Sequence, residues 1–72
     1  MAVVKVIEII AESEKSWEQA AQEGVANVAK TVRNINSAYV KEMQAKIQND
    51  RVVAYRVNLQ ISFIVEDTEI NK

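Results

Sequence analysis

Apolar positions recur along this chain with two different periods, and the points where the period changes divide it into four elements. From Val3 to Ile10 β-branched residues dominate, with Lys5 and Glu8 on opposite pleats, which predicts a first strand covered on both sides. The polar stretch Ala11 to Lys15 follows, and Ser16 with Gln19 three positions later forms a capping-box pattern that should open a helix. Trp17, Ala20, Ala21, Gly24, Val25, Val28, Ala29 and Val32 then recur at three- and four-residue steps as one buried stripe, giving a helix of about 17 residues. Gly24 lies inside that stripe. A mid-helix glycine costs up to about 1 kcal/mol relative to alanine, so its place there predicts close approach of another backbone rather than a tolerated surface position.

Asn34 and Asn36 mark the helix exit, and a second strand is expected from about Ser37 to Gln48. Its pattern slips: Ala38 and Val40 share one pleat while Met43, Ala45 and Ile47 share the other, so a β-bulge near Lys41-Glu42 is needed to bury both sets on one side. Asn49-Asp50 supplies a hairpin turn into a long third strand, Val52 to Glu66. There Val53, Tyr55, Val57, Leu59, Ile61, Phe63 and Val65 alternate with Ala54, Arg56, Asn58, Gln60, Ser62 and Ile64. The expected class is α+β with β-α-β-β order, a three-stranded antiparallel sheet on one helix. Residues 1–67 form the domain and 68–72 a polar tail.

Geometry favours assembly over a monomer. A strand of about 14 residues spans roughly 46 Å and a helix of about 17 residues roughly 25 Å, so one helix leaves apolar pleats and strand edges for neighbouring copies to cover. A 72-residue chain is also short for a self-sufficient core, and it has neither cysteine nor histidine to supply a disulfide or a zinc site. The same absence removes most general-base, nucleophile and zinc-site arrangements, so an enzyme is not expected. Nine basic against ten acidic residues, scattered along the chain, argue against a nucleic-acid partner. Lys30, Arg33, Lys41 and Lys46 read as a solvated face. No apolar run suits a bilayer, and the opening Met1-Ala2-Val3-Val4-Lys5 lacks the charge pattern of a signal peptide, so a cytoplasmic protein without a membrane partner is expected.

Several segments together resemble the dodecin family: Val6 to Ile9, Ser13 to Trp17, Lys30 to Asn34, Tyr55-Arg56-Val57, Ser62-Phe63 and Glu66-Asp67. The resemblance covers about residues 3 to 67. It implies a hollow homododecamer that stores or sequesters a flavin, FMN or riboflavin, without catalysis. In the family's flavin binders a tryptophan early in the second strand stacks on the ring and a glutamine in the third strand meets its polar edge. This chain has Ser37 and Arg56 there. The cofactor-binding candidates are therefore Ser37, Arg56 and Tyr39, which shares a pleat with Ser37. Trp17, on the helix stripe, reads as core packing or subunit contact. A shell without flavin, structural or binding a divalent cation such as calcium, is the alternative; Glu66, Asp67 and Glu69 are the acidic residues that symmetry could gather, but no metal ligand set is fixed by the sequence.

Overall fold

The structure, a computed structural model, describes Ala2–Asp67, without the side chains of Ala2, Glu66 and Asp67. The tail 68–72, including Glu69, lies outside the described residues, as do the carboxylates of Glu66 and Asp67. The elements are β1 (Ala2–Ser13), α1 (Trp17–Val28), β2 (Ile35–Gln48) and β3 (Arg51–Asp67), in β-α-β-β order. They form a three-stranded antiparallel sheet with β3 in the middle, flanked by β1 and β2.

The helix starts where its cap dictates. Ser16 is the N-cap, and its Oγ accepts from the Gln19 backbone N–H at 2.9 Å. The reciprocal arm of the box is not made: the Gln19 carboxamide donates instead to Glu23 one turn on, at 2.7 Å. The helix is also shorter than its apolar stripe suggested, 12 residues instead of about 17. It ends at Val28 and runs into a turn in which Val32 N–H donates to Val28 O at 2.9 Å. The β-branched pair Thr31-Val32 favours helix poorly, and Asn34, at φ 63°, takes the left-handed conformation that asparagine tolerates better than most residues. Its carbonyl accepts from Ile64 N–H at 3.0 Å, fastening the exit loop to β3.

The core lies between α1 and one pleat of the sheet. Val57, Leu59 and Ile61 of β3 and Ala20 of α1 are fully buried, with Ile7, Ile9, Ala11, Trp17, Ala21, Val25 and Val28 packed around them. Gly24 marks the closest approach. A Cβ built there would stand 2.9 Å from the Ala11 Cβ and 3.3 Å from Ile9 Cδ1 and Leu59 Cδ1, so the glycine lets the helix settle onto β1 and β3.

The expected bulge is present. Val40 pairs with Leu59 and Glu42 with Asn58, which leaves Lys41 as the extra residue. Ala38, Val40, Met43 and Ala45 consequently lie opposite Ile61, Leu59, Val57 and Tyr55, all on the helix pleat. Two more slips, at Asn36 and Val53, flank this one on the β2–β3 ladder, and another falls at Val65 opposite β1. The hairpin closes at Gln48–Arg51 through Asn49 (φ 52°) and Asp50 (φ 62°), both left-handed as a type I′ turn requires.

Two strand expectations change. β1 runs on to Ser13, whose Oγ accepts from Lys15 N–H at 3.0 Å where the chain turns toward the helix. Within one protomer, moreover, β1 is covered on one side only: Ile7, Ile9 and Ala11 lie under α1, whereas Val6 and Ile10 are 58% and 63% exposed on the other pleat. The covered length is limited too. The molecule extends 59 Å and a 12-residue helix about 18 Å. Val40, Met43, Ile47, Val52 and Val53 are left exposed along the hairpin arm.

Candidate functional site

The pleat turned away from the helix carries most of the polar chemistry, arranged in rows across the three strands. Val6, Ser62 and Ser37 form the first row, and Glu8, Gln60 and Tyr39 the second. Ile10, Asn58 and Glu42 come next, then Glu12, Arg56 and Gln44. The even positions of β3 reach this face because the odd ones are committed to the core, and the Lys41 bulge keeps Ser37 and Tyr39 on the same pleat as Glu42 and Gln44.

Ser37 and Ser62 share a hydroxyl–hydroxyl hydrogen bond of 2.6 Å, with Ser62 Oγ also 3.5 Å from the Ser37 carbonyl. Tyr39 stands beside them, 63% exposed, next to the Gln60 carboxamide. The other three aromatic residues, Trp17, Tyr55 and Phe63, are only partly exposed. Trp17 and Tyr55 pack edge to face with centroids 4.9 Å apart, which answers the question of Trp17: it packs beside the core within its own protomer.

Arg56 is not free. Its Nε and Nη2 donate to Glu12 Oε1 at 3.1 and 2.9 Å, an ion pair in which both side chains are about two-fifths exposed. A second pair, Lys41 to Glu8 at 3.5 Å, bridges β2 and β1 across β3. Exposed pairs of this kind are worth about 0–1 kcal/mol, so their role is to fix charge positions more than to hold the sheet. Glu42 has no ion-pair partner among the described residues. Between the two pairs lies a depression of about 50 Å³ lined by Ile10, Glu42, Gln44, Arg56 and Asn58. Asn58 Oδ1 is buried there without a hydrogen-bond donor. The space suits an ion or a few waters and is too small for a fused aromatic ring.

The three candidate residues therefore share a face but do not converge. Ser37 and Tyr39 are neighbours, whereas Arg56 lies opposite Gln44, six positions along β3 from the Ser62 that faces Ser37, or about 20 Å. A ring touching both ends would need them from different subunits. Asn58 and Gln60 escaped attention in the sequence because they look like ordinary polar positions of an alternating strand; only the bulge-corrected register puts them beside Glu42 and Tyr39. Glu8, one row from Glu42 on β1, is committed to Lys41. No group of three or more histidine, cysteine, aspartate or glutamate side chains able to hold a metal occurs among the described residues. None of the described helices is long and apolar enough to cross a membrane.

Comparison with known proteins gives the fold its lineage. The dodecin family model matches residues 3–66. The calcium dodecin of Mycobacterium tuberculosis is 41% identical over 63 residues, covering 88% of this chain and 89% of the relative, and the crystal structure under that name superposes with a TM-score of 0.79 at 38% identity, over 92% of this chain and 94% of the other. The dodecin of Thermus thermophilus is 35% identical over 66 residues, 92% of this chain and 96% of the relative. A crystal structure from that organism superposes with a TM-score of 0.87 at 34% identity, over 94% of this chain and all of the other. With a family match over nearly its whole length and relatives of this similarity, the chain belongs to the dodecin family.

Proposed function

We propose that this chain is one subunit of a closed twelve-copy shell that holds a planar flavin-like ligand, FMN or riboflavin, without transforming it. The observation that carries this reading is the uncharged patch Ser37, Tyr39, Gln60 and Ser62, which surrounds the exposed Tyr39 ring with two hydroxyls and a carboxamide. A ring stacked on Tyr39 would find hydrogen-bonding groups at its edge, although tyrosine offers a smaller surface than the family's tryptophan. Arg56, tied to Glu12 on its own protomer, would reach such a ligand from a neighbouring subunit. The exposed apolar residues of the hairpin arm and of β1 support assembly, since contiguous apolar surface of this kind is what subunit contacts bury. Quenching of riboflavin or FMN fluorescence by the purified protein tests ligand binding; absence of quenching at micromolar protein contradicts it.

A second reading has its own observation. Asn58 Oδ1 lacks a donor, and beside it the depression offers the Glu42 carboxylate and the Gln44 carboxamide, hard oxygen ligands of the sort that divalent cations accept. One relative bears the name calcium dodecin, which makes calcium the cation to try first. Calorimetric titration with calcium, repeated on Glu42→Gln, tests this reading: heat lost in the variant supports the site, and equal heats contradict it.

A further inference from the structure

Charge on the open face is unevenly committed. Two cations of this face, Lys41 and Arg56, are already held, Lys41 by Glu8 and Arg56 by Glu12. Glu42 is left over. It stands one row from Tyr39 on the same pleat, about 7 Å along the sheet, because the bulge takes Lys41 out of the register. The next cation on this pleat, Lys46, lies seven positions from Tyr39, roughly 23 Å toward the hairpin tip. Among the described residues, a ligand seated on Tyr39 therefore has close by one carboxylate, Glu42, that no cation of its own protomer meets.

From this we infer that the patch selects an uncharged planar heterocycle over the phosphate ester of the same heterocycle. The inference rests on the planar-ligand reading above and adds its charge preference. A phosphate carrying nearly two negative charges and placed about 10 Å from Glu42 in water loses about fourfold in affinity through that one carboxylate, and less as salt screens it. Binding phosphate favourably would require breaking Lys41 away from Glu8 or Arg56 away from Glu12, which leaves a second carboxylate unbalanced on the same face. The neutral ligand asks for neither.

Riboflavin and FMN share one ring and differ by the phosphate, so paired fluorescence-quenching titrations isolate the effect. In the native assembly at low salt, riboflavin binds up to about fourfold more tightly than FMN, the gap narrows at high salt, and Glu42→Gln narrows it at low salt by strengthening FMN alone. Equal or tighter binding of FMN by the wild-type protein at low salt overturns the charge preference while leaving the planar-ligand reading in place. Failure of both flavins to bind overturns the planar-ligand reading, and the preference with it.

Discussion

Trp17 Nε1 donates to the backbone carbonyl of Gln44 at 2.8 Å, tying the first turn of the helix to edge strand β2 across 27 residues of sequence. The indole thus completes a bridge that begins with its edge-to-face contact on Tyr55 of the central strand. The bond satisfies an acceptor on a strand that has no further sheet neighbour within the protomer.

Removing the donor while keeping an aromatic ring should show what that bridge contributes. Trp17→Phe is expected to cost about 1–2 kcal/mol, the usual net worth of one hydrogen bond plus some lost contact area. Denaturant unfolding at fixed protein concentration measures it. An unchanged midpoint would mean that the edge strand holds its place without the helix.

Gly24 makes a sharper case. Gly24→Ala gains up to about 1 kcal/mol of helix propensity but drives a methyl to 2.9 Å from the Ala11 Cβ, an overpacking that typically costs about 1–3 kcal/mol. Net destabilisation is expected, and Ala11→Gly in the same chain should restore part of it by vacating the contact. If Gly24→Ala melts at or above the wild-type temperature, the helix is free to shift away from β1. Gly24→Leu, which the space cannot admit, should prevent folding or assembly.

The sequence announced these features unequally, for physical reasons. Gly24, a poor helix former in step with the apolar stripe, and the phase slip between Val40 and Met43 each marked a real feature, a close helix–strand contact and the Lys41 bulge. The helix end is not legible in the spacing, because Ala29 and Val32 continue the apolar period after the backbone has left the helix; periodicity reports which side chains are wanted inward, not which backbone bonds form. The polar face was harder still. That Arg56 meets Glu12 depends on β1 pairing with β3 across 44 residues, and no local pattern encodes that register. Ser37 and Arg56, named together through the family resemblance, lie at opposite ends of the face on one protomer.

That separation shapes the next prediction. Ser37→Trp should strengthen flavin binding roughly tenfold or more, because stacking on an aromatic ring is worth about 1–3 kcal/mol. Arg56→Gln, which releases Glu12, should add to it for riboflavin, the flavin without a phosphate. Sites about 20 Å apart on one chain ordinarily act independently, so a double-variant gain that differs from the sum of the single gains would show one ligand reaching both positions across a subunit boundary. No change on Arg56→Gln, alone or beside Ser37→Trp, would place Arg56 outside the site.

The exposed hairpin arm offers a test of where subunits meet. Met43 faces the helix pleat yet is 56% exposed, beside Val40 at 42%. Met43→Asp should be nearly silent in an isolated protomer. In a shell it would bury an unpaired carboxylate in each contact, at a cost of several kcal/mol, and should release smaller species. Size-exclusion chromatography with light scattering reads the difference, and an unaltered particle would show that this arm faces solvent.

Native mass spectrometry of the wild-type protein at micromolar concentration tests the account most directly, since the proposed ligand seat and the covering of β1 and the hairpin arm both depend on neighbouring copies. A closed shell gives one dominant species of twelve 8.1-kDa chains that takes up riboflavin without coming apart. A dominant species of one, two or three chains would contradict it.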